Sequence, residues 1–222
     1  MSARRHQGYV DLVSRVCRPG DRVLDLACGY GRMTVPLAEL GCRVVGVDLC
    51  PGMVAAARRR ARAAHRRIRF VVASMLALPF ADETFDKVLC LWSSFVHLLT
   101  PADQARALGE MARVLAAGGL AVVDVNNGEE AALQRMLRER GRGPDRRIID
   151  LAIDGLVNHA YIHNRHSLAD LAKACPSVRS RVRFSNIGGR RRLTLWLHKV
   201  TKKRPPRRRP SCCGEDLNLH QV

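Results

Sequence analysis

Aromatic residues make up only 5% of the 222-residue chain, and lysine is rarer still, supplying five of its 38 basic side chains. Proteins that grip single-stranded nucleic acid stack its bases on aromatic rings, and the longer basic segment, residues 58–69, carries none. Long apolar runs are missing too. None approaches the roughly 18 residues of a membrane span, and the opening Met-Ser-Ala-Arg-Arg-His-Gln-Gly has neither the apolar stretch nor the cleavage site of a secretory signal. The expected address is cytoplasmic, with no membrane partner. The eight cysteines include no Cys-x-x-Cys pair and no histidines at zinc spacing, so neither a disulfide framework nor a metal site is expected. Vicinal Cys212 and Cys213 have nothing nearby to complete a site.

What is abundant is positive charge, a formal +18. Residues 202–210 contribute six of the surplus charges and 58–69 seven, which leaves +5 for everything else. An excess so localised describes a tail and a solvated helix face, so nucleic acid is a possible but not a favoured partner. With 47% hydrophobic residues, the remaining length suits one domain with a sizeable core.

From residue 9 to 125, short β-branched runs alternate with amphipathic stretches, the rhythm of βαβ units and a parallel sheet covered on both faces. Strands are expected at 22–27, 43–48, 68–73, 86–91 and 119–125, with helices near 7–17, 31–40, 51–65 and 101–116. Beyond 125 the rhythm changes: helices near 128–140 and 167–174, a small hairpin turning at Asp154-Gly155, and a final hairpin of 179–186 and 192–199 joined by Ile-Gly-Gly-Arg. Residues 1–200 read as a single domain in which 126–178 is a lid, and 201–222 as a disordered basic tail.

The strongest chemical signal is Val-Leu-Asp-Leu-Ala-Cys-Gly-Tyr-Gly-Arg-Met-Thr at 23–34, a buried strand ending in a small-residue turn where backbone can approach a ligand. A dinucleotide loop would want a third small residue at position 34, and Thr34 stands there. The segment resembles the first motif of the class I S-adenosylmethionine-dependent methyltransferases, especially the small-molecule enzymes. Val-Val-Gly-Val-Asp-Leu-Cys-Pro-Gly-Met (44–53), Ala-Leu-Pro-Phe-Ala-Asp-Glu-Thr-Phe-Asp (77–86) and Arg-Val-Leu-Ala-Ala-Gly-Gly (113–119) are similar to three further family segments, in the family's order.

The resemblance implies an α/β doubly wound Rossmann-like sheet of seven strands in the order 3-2-1-4-5-7-6, the last strand antiparallel, with S-adenosylmethionine as cofactor. Asp48, with Leu49 and Met53 beside it, is then the ribose acceptor. Asp25, Ala27, Cys28, Gly29, Tyr30 and Gly31 surround the methionyl portion, and Ser74, Met75 and Leu76 face the adenine. Ser74 replaces the acid common in the family. Leu91 and Trp92 follow the fourth strand at the reactive methyl. The Asn/Asp-Pro-Pro-Tyr/Phe sequence of many DNA and glutamine methylases is missing there. Ser94, His97, Asn126, Tyr161 and His163 are expected to line the acceptor site, with His97 able to take a proton.

Methyl transfer to O, N or C of a small molecule is thus the leading expectation. Transfer to RNA or protein, and a non-catalytic cofactor-binding role, are the alternatives, while the oligomeric state is not encoded in any pattern found. The tail has no part in the expected mechanism. Truncation after Val200 should therefore leave the melting temperature and turnover unchanged, as thermal denaturation and a methyl-transfer assay of residues 1–200 would check.

Overall fold

The computed structural model describes residues 3–153 and 156–200. The expected turn at Asp154-Gly155 and the tail from Thr201 onward lie outside the described residues. In chain order the elements are α1 (Ala3–Val16), β1 (Arg22–Leu26), α2 (Thr34–Glu39), β2 (Arg43–Asp48), α3 (Pro51–Ala63), β3 (Arg69–Val72), β4 (Phe85–Cys90), α4 (Pro101–Val114) and β5 (Leu115–Val125). Then follow α5 (Ala131–Arg140), β6 (Ile148–Ile153), β7 (Leu156–Tyr161), α6 (Arg165–Ala172), β8 (Val178–Ile187) and β9 (Arg190–Lys199). Among the described residues no helix is long and apolar enough to cross a membrane.

Seven strands form one sheet in the order β3-β2-β1-β4-β5-β9-β8. The first five pair in parallel, and β9 returns antiparallel between β5 and β8. With the separate β6–β7 hairpin set aside, this is the order expected from the resemblance. Alternation along each strand sorts side chains onto two faces. Val23, Leu89 and Val122 pack with α1 and α2 on one face, while Leu24, Val88, Cys90, Ala121 and Val123 pack with α4 and α6 on the other. Strands sandwiched this way carry near-continuous apolar runs, which is why they were readable.

The first crossover helix differs from expectation. It starts at Thr34, not 31, because Gly29 and Gly31 adopt φ of +54° and +79°, a left-handed backbone that a right-handed helix cannot contain. Two of the four family-like segments turn out to form one latch. Arg113 donates to the carbonyls of Leu78 and Phe80 and to the Asp82 and Glu110 carboxylates, while Glu110 accepts from the Leu78 amide at 2.7 Å. These residues pin the loop before β4 to α4.

The docking of α1 depends on a glycine inside the helix. A Cβ at Gly8 would lie 2.1 Å from the Gly188 nitrogen and 2.6 Å from its Cα, in the turn between β8 and β9. Helix propensity alone favours Ala over Gly by about 1 kcal/mol, yet here the backbone contact must dominate. Gly8→Ala is expected to destabilise the protein by about 1–3 kcal/mol, as overpacked contacts do. Chemical denaturation checks this, and a gain in stability would show that the helix is not held here.

Candidate functional site

The tips of β1 and β2 open into a cleft. Asp48 ends β2 half-buried, accepting hydrogen bonds from the amides of Gly29 (2.8 Å) and Cys50 (2.9 Å). A carboxylate has about four acceptor positions, so roughly two remain for a ligand. The Cys50 contact confirms that Asp48 also orders the entry to α3, although Cys50 itself is the N-cap. Beside it Leu49 and Met53 stand exposed, at 70% and 44%, and a Cβ built on Gly29 meets nothing within 4 Å. An acceptor with spare capacity, two bare apolar side chains and an open glycine surface suit a nucleoside.

Asp25 is 3% exposed and accepts from the Thr34 hydroxyl at 2.5 Å. Burial pushes its carboxyl up to about 7, with the charge of Asp48 acting in the same direction. Thr34, which argued against a dinucleotide loop, therefore has a positive role: it satisfies the buried acid and ties β1 to the first turn of α2. Ala27 holds φ +56° at the strand end, Cys28 is buried and Gly31 is packed on Ala57. Tyr30 accepts from the Arg32 guanidinium at 2.7 Å, which in turn lies 4.3 Å from the centre of the Trp92 ring.

At the neighbouring strand ends, the Ser74 hydroxyl accepts from the Leu76 amide at 3.2 Å, a turn that places Ser74, Met75 and Leu76, all half-buried, at the tip of β3. Leu91 is buried. Trp92 and Ser93 both take left-handed φ, +60° and +64°, so the chain doubles back after β4. The buried Trp92 Nε1 has no acceptor among the described residues.

Behind Trp92 lies a cavity of about 610 Å³. Its floor is a buried polar cluster that no motif announced. Asp124, fully buried at the end of β5, accepts from the Tyr9 hydroxyl (2.6 Å), the Ser93 amide (3.2 Å) and two nitrogens of Arg192 (2.9 and 3.0 Å). Arg192 also donates to Asn126 at 2.5 Å and to the Ser93 hydroxyl, and Tyr9 stacks on Trp92 with ring centres 4.1 Å apart. Burial raises the Tyr9 phenol well above its ordinary range, so it stays a donor. The available sequence signal was an acid ending an otherwise apolar strand and a Tyr on the apolar stripe of α1.

Of the residues expected to line the acceptor site, His97 and Asn126 border this cavity, as does Asn158. His97 Nδ1 lies 3.1 Å from the His159 carbonyl. A carbonyl only accepts, so Nδ1 carries a proton, which in a neutral imidazole leaves the lone pair on Nε2. Ser94 instead donates to the Leu91 carbonyl at 3.1 Å. Tyr161 and His163 do share a face, with ring centres 4.8 Å apart, but that face is interior. Tyr161 bonds Asp145, and His163 is 1% exposed with neither ring nitrogen partnered among the described residues. Their apolar neighbours in the strands carried them into the core and away from the cavity wall. No group of three or more His, Cys, Asp or Glu that could hold a metal occurs among the described residues.

Residues 23–119 match the methyltransferase domain family. Over 104 residues the chain is 47% identical to a demethylmenaquinone methyltransferase of Thermus thermophilus, covering 46% of each. Over 101 residues it is 36% identical to an uncharacterized protein of Mycobacterium tuberculosis, covering 46% of this chain and 35% of that one. The chain spans less than half the length of these curated relatives. Among solved structures, an S-adenosylmethionine-dependent methyltransferase of Methanosarcina mazei superposes with a TM-score of 0.74 at 18% identity, over 86% of this chain and 98% of that one. An amino pentose methyltransferase of Micromonospora echinaspora, solved with S-adenosylmethionine bound, gives 0.67 at 19%, over 90% and 92%. Residues 23–119 thus match a methyltransferase domain, and the fold is the one these solved S-adenosylmethionine-dependent methyltransferases share.

The unpartnered His163 generates a pH dependence. Burial holds its imidazole down at about 4, against about 6.5 in an unfolded chain. The unfolded state therefore takes up the proton first, and stability present above pH 6.5 is lost as pH falls toward 4, by about 3 kcal/mol in all. His163→Leu should flatten that limb in denaturation curves measured between pH 7 and 4. Parallel curves for the two proteins would contradict the assignment.

Proposed function

We propose that the protein transfers a methyl group from S-adenosylmethionine to an O, N or C atom of a small molecule held in the cavity behind Trp92. The observation that carries this reading is the presence of an Asp48 carboxylate with spare acceptor positions at the tip of β2 and a cavity of metabolite size behind Trp92, after β4. When bound, the cofactor supplies a methyl already activated by its positive sulfur for in-line displacement.

The chain's own residues then have mainly positional work. Asp48 accepts from the ribose hydroxyls. Leu49, Met53, Met75 and Leu76 pack about the adenine, with Ser74 at its edge. Asp25 faces the ammonium group, and the turn from Ala27 through Gly31 approaches the carboxylate. Leu91 and Trp92 separate cleft from chamber and exclude water. In the chamber Asn126 orients the acceptor, and His97 Nε2 takes the proton that an oxygen or nitrogen acceptor sheds. Holding a nucleophile in line within a dry site can supply up to roughly 7–11 kcal/mol of the barrier, so a strong base is not required.

A small acceptor is supported over RNA by where most of the basic run 58–69 lies. Arg62, Arg66, Arg67 and Arg69 border a recess beyond the last turns of α3 and at the start of β3, the end of the sheet away from the cleft.

Asp48→Asn should weaken S-adenosylhomocysteine binding on the order of 10- to 100-fold in calorimetry, the loss expected for charge-assisted hydrogen bonds of about 1.5–3 kcal/mol, while the protein still folds, with a melting point lowered by the one amide acceptor that asparagine cannot supply. Because Asp25 is charged only above about 7, affinity should rise as pH increases from 6 to 8, and Asp25→Asn should abolish that rise. Unchanged affinity in Asp48→Asn would defeat the ribose assignment.

A further inference from the structure

We infer that the chamber selects an acceptor bearing an acidic group on an apolar body. This rests on the methyl-transfer reading above and names the substrate class that the same site would take. The cavity, at about 610 Å³, is of the size that encloses a metabolite. One side is apolar, formed by Val96, Leu133, Leu151 and Ala160 with Trp92 at the floor. Another side is bordered by Arg5 from α1 and by Arg190 and Arg191 from the start of β9.

The balance of charge decides what this wall can hold. Arg192 is neutralised by its two-pronged pairing with Asp124, and Asp124 has no capacity left once Tyr9 and the Ser93 amide are counted. Arg5, Arg190 and Arg191 then border the cavity against a single remaining carboxylate on the lining, that of Glu130. Among the described residues no ion pair engages Arg5, Arg190 or Arg191, although Arg191 stacks 4.0 Å from the Phe184 ring centre. Unpaired guanidinium groups around a partly apolar cavity favour a carboxylate, sulfonate or phosphate, because field lines concentrate between low-dielectric walls. The placement is enforced by backbone: the glycine contact between α1 and the β8–β9 turn brings Arg5 and Arg190 to the same rim.

The test uses 1-anilinonaphthalene-8-sulfonate and N-phenyl-1-naphthylamine, which share an aromatic body and differ in the anionic group, with S-adenosylhomocysteine saturating. The sulfonate should bind at least tenfold more tightly, with affinity falling as salt rises. The double variant Arg5→Gln/Arg190→Gln should lose about tenfold in sulfonate affinity, leaving the uncharged probe and S-adenosylhomocysteine unaffected, and Leu133→Trp should block both probes by filling the chamber. Equal affinity of the two probes, an unaffected double variant, or sulfonate binding that survives Leu133→Trp would overturn the inference. So would displacement of the sulfonate by S-adenosylhomocysteine, since the cations would then serve the cofactor's own carboxylate. If calorimetry detects no S-adenosylhomocysteine binding while the probes discriminate as described, the methyl-transfer reading fails and the anion-selective chamber stands.

Discussion

The buried carboxylate of Asp124 is the constraint on which the site depends. A charge taken wholly out of water is tolerated only with a full set of partners, and Asp124, on β5, draws them from three other places: Tyr9 on α1, the Ser93 amide after β4, and Arg192 on β9. Removing one partner of such a cluster typically costs about 3–5 kcal/mol because the others are left uncompensated. The same carboxylate thereby fixes α1, the left-handed turn at Trp92-Ser93 and the floor of the chamber in one arrangement. Without it the strand ends would still make a sheet, but not this chamber.

The cleft and the chamber use different physics. At the cleft, backbone does most of the work: glycines at 29 and 31 and a left-handed Ala27 expose a surface that a side chain would cover, and Asp48 adds one directional anchor. In the chamber, side chains set the character, with apolar walls, a neutralised Asp124–Arg192 pair and a surplus of guanidinium groups at the rim. Strained backbone concentrates where the two meet, at Trp92 and Ser93, as it often does at functional sites. Methyl transfer suits this division, since the reaction asks for alignment and dryness more than for acid–base power.

Much of this was readable from residues alone, for identifiable reasons. Buried parallel strands are continuous apolar runs, so β1, β2 and β4 lay within a residue of their expected bounds. The acid ending β2 and the glycine turn are signalled by local spacing. What was not readable depends on contacts between distant segments. No local pattern shows that Gly8 meets the backbone of Gly188, and Tyr9 gave no hint of Asp124, 115 residues away. Tyr161, the last residue of β7, and His163 just beyond it do lie on one side, but alternation cannot say whether that side meets solvent, a cavity or the core. The segments 77–86 and 113–119, similar to family segments, also meet in the Glu110–Arg113 latch, a contact that neither pattern announces.

The central claim is that a nucleoside with an amino-acid tail lies across the tips of β1 and β2 with its sulfur toward the chamber. A crystal structure grown with S-adenosylhomocysteine tests this most directly. The account requires both ribose hydroxyls within about 2.6–3.2 Å of the Asp48 carboxylate and the sulfur beside Trp92, facing the cavity above Asp124. A cleft left empty at saturating ligand, or one that instead accepts NAD with its pyrophosphate on the Gly29–Gly31 turn, would contradict it.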